Sequence, residues 1–163
     1  MLFRSKNENF ESLRYEAFGP KNIAVIIETL TDNKNRTASK IRTALQKFGG
    51  NLGSSGSTTH FFDNCGIIQF SRENISDDQA LDFAARVGAR DCYSNKDFHE
   101  IITKKEDFYK IKIEFEKLAK NLIYSGIEWR PKSNFVIKEK QTEEIEDMLD
   151  LLEQDDDVQG VFH

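Results

Sequence analysis

Apolar and polar residues follow two different spacings along the chain, which predicts a mixture of strands and helices. Residues 13–18 alternate as in a half-buried strand, and the β-branched run over residues 22–30 predicts a central strand buried on both faces. Over residues 34–48 the apolar side chains recur at helical spacing, which predicts a helix that Gly49 and Gly50 end.

The same two spacings continue through the rest of the chain and predict its remaining elements. Further strands are predicted at residues 57–63, 67–70, 90–94, 98–103, 126–130, 134–138 and 157–162. Helices are predicted at residues 77–87 and 142–153. A third helix opens with a capping box at Thr103–Glu106 and buries an apolar stripe from Phe108 to Leu122, including Leu118.

The order of these elements predicts an α+β fold made of two ferredoxin-like (β-α-β-β-α-β) units, one inserted into the other. The predicted outer unit comprises residues 12–64 and 133–163, with strand 13–18 as an added strand. The predicted inserted unit comprises residues 65–132, and residues 1–11 are expected to be poorly ordered.

Composition narrows the class of protein. The 163 residues are 38% hydrophobic, enough for a packed core, and this excludes a wholly disordered chain. The longest apolar run, residues 23–27, is far shorter than a membrane span, and the N-terminus has no secretory signal, so we expect a cytoplasmic protein without a membrane partner. Cys65 and Cys92 stand far apart, which indicates neither a disulfide framework nor a zinc ribbon.

Charge is unevenly distributed along the chain, although its net value is only −5. Residues 33–50 contain five basic residues and no acid, whereas residues 139–157 contain ten acids and one base. On a helical wheel Arg36, Lys40 and Lys47 fall on one line, so the helix presents a basic ridge between two polar loops. Such a surface suits phosphate contacts, but from spacing alone the solvated face of an amphipathic helix is the favoured interpretation.

Motifs of enzymes and metal sites are missing from the sequence. The glycines after the basic helix form neither a P-loop nor a GxGxxG motif, and there is no GxSxG. His60, His99 and His163 lack metal-ligand spacing relative to the cysteines, and Asp155–Asp157 alone supplies too few oxygens for tight Ca²⁺ binding. We therefore predict a protein that is not an enzyme, with no cofactor, no metal and no small-molecule substrate.

Four motifs in order resemble the YebC/PmpR family. They are Tyr15-Glu16-Ala17-Phe18-Gly19-Pro20, Leu30-Thr31-Asp32-Asn33-Lys34-Asn35-Arg36-Thr37, Gly49-Gly50-Asn51-Leu52-Gly53 followed by Gly56-Ser57, and Asp156-Asp157-Val158-Gln159 with Val161. The resemblance implies a bacterial cytoplasmic protein of a kind described as probable transcriptional regulators that bind DNA. It also implies a competing role on the ribosome, and mitochondrial relatives activate translation of a cytochrome oxidase subunit.

Family members begin with a basic helical domain that opens with a Gly-His-Ser-Lys-Trp-like motif. Nothing in this chain matches that domain, and the resemblance starts near Leu13. The chain is therefore expected to correspond to the second and third domains only.

With the resemblance added, we expect a non-enzymatic regulator of gene expression that binds nucleic acid, either promoter DNA or ribosomal RNA. The predicted phosphate-neutralising residues are Lys34, Arg36, Lys40 and Lys47. The predicted hydrogen-bonding residues are Asn33, Asn35, Asn51, Ser54 and Ser57, with Gly50 and Gly53 allowing close approach of the chain. This hypothesis requires the cations to face solvent and not to be neutralised by the acidic segment.

Two alternatives stay open at this point. The acidic helix 142–153 with Asp155–Asp157 could dock a basic partner, for example a ribosomal protein. An enzyme is the least favoured alternative, since no nucleophile and base or metal-ligand set is recognisable, and weak hydrolysis dependent on Asp156 would be its sign.

Overall fold

The computed structural model describes residues 9–118, 122–134 and 136–163 of the chain. They divide into two compact units, one formed by the residues before Asn64 and after Arg130 and the other by Asn64–Arg130. Each unit has a four-stranded sheet and two α-helices, so the predicted α+β class with two ferredoxin-like units is confirmed. Most of the segment predicted to be poorly ordered, residues 1–11, lies outside the described residues.

The elements of the outer unit are β1 (Glu11–Phe18), β2 (Ala24–Thr31), α1 (Lys34–Lys47), β3 (Asn51–Leu52), α4 (Glu139–Glu153) and β8 (Val158–Phe162). Its sheet has the strand order β3-β1-β2-β8. Apolar side chains of α1 and α4 pack with those of β1 and β2 in one core, which includes Ala17, Val25, Ile27, Ile41, Leu45, Met148 and Leu152. Both helices therefore cover the same face of the sheet.

Strand β2 is central, as its nearly continuous β-branched run predicts. It pairs antiparallel with β1 on one side, where Tyr15 lies opposite Ile27, and with β8 on the other, where Val161 lies opposite Ile27. Val25, Ile26 and Ile27 are all fully buried, which explains why these three consecutive positions are apolar on both faces of the strand.

The elements of the inserted unit are β4 (Phe62–Ser71), α2 (Asp77–Val87), β5 (Asp91–Ser94), β6 (Phe98–Lys104), α3 (Phe108–Leu118) and β7 (Leu122–Pro131). Its sheet has the strand order β5-β6-β4-β7. Ser76 caps α2 with a complete capping box, and Gly88 in the left-handed region ends this helix. Phe115 of α3 is the centre of the core, with ring centroids 5.0 Å from Phe70 and 4.5 Å from Phe83.

Two predicted strands of the outer unit are wrong. In the first, residues 57–63, the structure has a bend and a 3₁₀ helix at Thr59–Phe61, and only the last two residues belong to β4. In the second, residues 134–138, none of the described residues lies in a strand, and residue 135 lies outside the description. The sheet is completed instead by β1 and the short β3.

The predicted helix after Thr103 differs from the structure at both ends. No capping box forms, because the Thr103 hydroxyl donates to the Lys104 carbonyl and a 3₁₀ turn at Lys105–Asp107 precedes α3. At the other end, Leu118 is 48% exposed and Leu122 begins β7. The helical periodicity over Phe108, Ile111 and Phe115 is confirmed, since all three side chains are buried. None of the described helices is long and apolar enough to cross a membrane.

Candidate nucleic-acid interface

Helix α1 begins in a short hydrogen-bonded turn that the sequence encodes locally. The Asn33 side chain accepts a hydrogen bond from the Arg36 N–H at 3.1 Å, as an N-cap residue does. The Thr31 hydroxyl in turn accepts a hydrogen bond from the Asn33 N–H at 3.0 Å. These contacts fix the direction in which the first turn of α1 presents its side chains.

Most of the predicted site residues face solvent. The exposed residues are Asn33, Lys34, Asn35, Arg36, Lys40, Lys47, Asn51 and Ser54. Gly53 and Ser57 are half-buried, and Gly50 is buried. The ridge of α1 is therefore at the surface, opposite the buried side chains of Ile41 and Leu45, as the wheel predicts.

The Arg36 guanidinium is held by two carboxylates. Its Nη2 donates to Asp32 Oδ1 at 2.8 Å and to Asp157 Oδ2 at 2.9 Å. These two contacts raise the pKa of Arg36, with the hydrogen bond to Asp157 as the larger cause. Arg36 therefore joins the start of α1 to the turn before β8.

Asp157 is a nearly buried carboxylate with several donors. Besides Arg36, it accepts a hydrogen bond from the Thr37 hydroxyl at 2.8 Å and a longer one from the Thr31 hydroxyl at 3.3 Å. Burial acts to raise the pKa of Asp157, but the hydrogen bonds from Arg36 and Thr37 outweigh it and the pKa is lowered. Asp157 is thus ionised and fixed at the N-terminal end of α1.

Lys40 also has an acidic neighbour, since its Nζ lies 3.7 Å from Asp155 Oδ2. The expectation that the whole ridge is displayed without neutralisation by the acidic segment is therefore wrong for Arg36 and Lys40. Lys34 and Lys47 differ, because no carboxylate lies within salt-bridge distance of either in the described part of the chain. The Lys47 ammonium lies 5.5 Å from the Phe48 ring centroid.

The glycine-rich loop after α1 surrounds a second buried carboxylate, that of Glu16. The backbone N–H groups of Gly56, Thr58 and Thr59 donate to Glu16 at 2.6, 2.9 and 2.7 Å. Burial acts to raise the pKa of Glu16, but these three hydrogen bonds lower it to about 2. These N–H groups therefore bind the protein's own carboxylate and are not available to a ligand phosphate.

Gly50 and Gly53 allow the chain to approach itself. A Cβ on Gly50 would lie 2.5 Å from the Phe18 carbonyl oxygen, and one on Gly53 would lie 2.3 Å from Ser57 Oγ. At these two positions the absence of a side chain is explained by packing inside the outer unit. Among the described residues, no group of three or more His, Cys, Asp or Glu side chains is placed to hold a metal ion.

Comparison with known proteins gives this surface a context. A family model described as "TACO1/YebC second and third domain" matches residues 10–163. The chain belongs to the TACO1/YebC family. The resemblance that the four motifs indicate is thereby confirmed.

Several TACO1/YebC relatives align along nearly the whole chain. A protein of Pelagibacter ubique named "probable transcriptional regulatory protein" is 47% identical over 154 residues, which are 94% of this chain and 64% of that protein. A protein of Zymomonas mobilis with the same descriptive name is 43% identical over 155 residues, 95% of this chain and 62% of its own length. The chain thus spans less than two thirds of the length of these relatives.

A solved structure has the same TACO1/YebC-type fold. It is the crystal structure of a conserved hypothetical protein from Aquifex aeolicus, 36% identical, with a TM-score of 0.84. The match covers 97% of this chain and 65% of that one.

The structure connects the TACO1/YebC motifs in pairs. Glu16 in the first motif binds Gly56 of the third, and Asp157 in the fourth binds Arg36 and Thr37 of the second. Sequence reasoning missed both carboxylates as organising residues. An acid between Tyr15 and Ala17 in a predicted strand is a local sign of a buried carboxylate, but it does not identify partners 40 residues away.

Proposed function

We propose that this chain is part of a regulator of gene expression that binds nucleic acid through the exposed side of α1 and the loops that flank it. The main support is the run of residues 33–50, which contains five cations and no acid and lies at the surface of the outer unit. The names of the relatives, probable transcriptional regulatory proteins, favour DNA as the ligand. Binding to ribosomal RNA in a translational role is the alternative.

The test uses the two lysines of α1 that have no carboxylate partner among the described residues. We expect Lys34→Gln with Lys47→Gln to lower the affinity for nucleic acid, because each lost phosphate contact removes one released counterion. The loss should be about tenfold at low salt, and the slope of log K against log salt should become shallower by about two. The measurement is fluorescence anisotropy with a labelled duplex at several salt concentrations.

A matched pair of lysines in the inserted unit provides the control. Lys96 and Lys110 are exposed and have no ion pair among the described residues, so Lys96→Gln with Lys110→Gln removes the same net charge elsewhere. An equal loss of affinity in both double variants would show that net charge, and not the α1 surface, determines binding. Competition between an unlabelled duplex and an unlabelled ribosomal RNA fragment for the wild-type chain then distinguishes DNA from RNA.

The acidic face of α4 supports a second candidate function, the docking of a basic protein. The exposed acids of this helix are Glu139, Glu143, Glu144, Glu146, Asp147, Asp150 and Glu153. Among the described residues none of them has a basic partner within salt-bridge distance. This face of the outer unit is therefore uncompensated, and charge complementarity favours a basic partner.

The second candidate is tested with an arginine-rich peptide after nuclease treatment. Glu143, Asp147 and Asp150 share one face of α4 at i, i+4 and i+7 spacing. Neutralising all three should weaken peptide binding at least tenfold, because long-range attraction is lost. The control neutralises three exposed acids of the inserted unit, Asp78, Asp82 and Asp97. Peptide binding that is equally weakened in both triple variants would rule out α4 as the docking surface.

A further inference from the structure

The turn between α4 and β8 places negative charge beside the N-terminal half of α1. Asp157 binds Arg36, and Asp155 lies within salt-bridge distance of Lys40. With Asp32, which also binds Arg36, three carboxylates surround two cations. This half of the ridge therefore has one more negative than positive charge, although the α1 sequence alone is purely basic.

The two carboxylates of the turn are held by the fold itself. Asp157 is only 9% exposed and accepts hydrogen bonds from the hydroxyls of Thr31 and Thr37. Its own backbone N–H donates to Asp155 Oδ1 at 3.0 Å, which orients the Asp155 side chain. Because backbone and buried groups fix both carboxylates, their charge stays beside α1 when a ligand approaches.

The rest of the α1 surface has a different electrostatic character. Lys34, Arg42 and Lys47 are exposed, and in the described ranges no carboxylate lies within salt-bridge distance of them. Within the described residues, helix α1 thus has three cations without a carboxylate neighbour and two cations whose charge nearby carboxylates balance. Arg42 belongs to the first group although it lies off the ridge line.

We propose that the acidic turn Asp155–Asp157 competes with nucleic acid for Arg36 and Lys40. The phosphate contacts of α1 are then made by Lys34, Arg42 and Lys47. The inference rests on the proposed function and specifies how the same surface is regulated. A phosphate near Arg36 or Lys40 meets repulsion from fixed carboxylates, whereas one near Arg42 does not. The turn therefore limits affinity and selects which cations of α1 take part.

The test removes one charge of the turn with little change in shape. Asp155→Asn keeps the Oδ1 acceptor used by the Asp157 N–H and removes the carboxylate beside Lys40. Its matched control is Asp156→Asn, which makes the same change in net charge at the exposed neighbouring position, where the described residues provide no ion pair. Affinity for a mixed-sequence duplex and for a single-stranded RNA oligonucleotide is measured by anisotropy from low to physiological salt.

Asp155→Asn should bind either probe about threefold more tightly than the wild-type chain at low salt, the size expected for one partly exposed ion pair. The slope of log K against log salt should steepen by about one, since one more cation contacts phosphate. Asp156→Asn should give a smaller gain. Adding Lys40→Gln to Asp155→Asn should remove the gain, which assigns it to that lysine.

The possible outcomes separate this inference from the proposed function. Equal gains in Asp155→Asn and Asp156→Asn, or a gain that persists with Lys40→Gln, would overturn internal competition while nucleic-acid binding stands. Binding by Asp155→Asn in the absence of detectable wild-type binding would support the competition. No binding by any of the variants would overturn both.

Discussion

Two carboxylates, Glu16 and Asp157, organise the polar part of the outer unit at the scale of single residues. Each is nearly buried, with 7% and 9% of its surface exposed, and each has a lowered pKa. Buried charge is costly unless several donors compensate it, and here backbone N–H groups serve Glu16 while hydroxyls and a guanidinium serve Asp157. Both carboxylates therefore stabilise loops that have little apolar surface of their own.

We expect Glu16→Gln to destabilise the outer unit by about 3 kcal/mol at neutral pH, the free energy that corresponds to lowering the Glu16 pKa from 4.5 to about 2. The physical reason is that the glutamine amide NH₂ group is a donor, so it cannot accept hydrogen bonds from the N–H groups of Gly56, Thr58 and Thr59 as the carboxylate does. Urea unfolding followed by circular dichroism measures the change. Glu11→Gln at the exposed start of the same strand is the control and should be nearly neutral.

The same pKa determines a dependence of stability on pH. Because the folded pKa of Glu16 is lower than the unfolded one, its contribution is fully present above about pH 4.5 and is lost as the pH falls towards about 2. The difference in unfolding free energy between wild type and Glu16→Gln should therefore shrink over that window. A difference that stays constant from pH 6 to about 2 would contradict the assignment.

At the scale of elements, the helices show how far apolar spacing determines packing. On α3, Phe108, Ile111 and Phe115 are buried as their spacing predicts, but Leu118 at the end of the same stripe is 48% exposed. On α2, Leu81 is 55% exposed, whereas Ala80 and Ala84 pack in the core. Periodicity thus identifies the buried face of a helix but not where that face stops contacting the sheet.

Phe115→Ala should destabilise the inserted unit by about 3–5 kcal/mol, because it leaves a cavity among aromatic rings in contact. Leu118→Ala on the same helix should cost less than about 1 kcal/mol, since its side chain is half exposed. The fluorescence of Trp129, the single tryptophan of the chain, reports urea unfolding from β7 of this unit. Similar losses for the two variants would contradict the described packing of α3.

At the scale of the whole molecule, the sequence predicts the elements that depend on local spacing and misses the contacts that depend on distant residues. The α+β class and helix α2 at Asp77–Val87 are confirmed, because apolar spacing and caps are local signals. The strand predicted over residues 57–63 is wrong because the backbone N–H groups of Thr58 and Thr59 donate to Glu16 and so do not donate to a neighbouring strand.

The candidate interface shows the same division. Exposure of Arg36, Lys40 and Lys47 follows from the helical wheel, since their positions lie opposite the apolar stripe. Partial neutralisation of the ridge does not follow from the wheel, because Asp157 lies 121 residues after Arg36 and only the tertiary fold brings them together. Binding by the predicted residues stays a prediction that the charge variants test.

Strand β8 has a consequence for the order in which the polypeptide matures during synthesis. Its partner β2 ends at Thr31, whereas β8 begins at Val158, so the complete inserted unit emerges between the two. Residues 64–130 form a contiguous segment that can collapse as soon as it is synthesised. One edge of β2 has no strand partner until β8 has been synthesised. A pause in translation after the inserted unit would therefore prolong the lifetime of an aggregation-prone nascent chain.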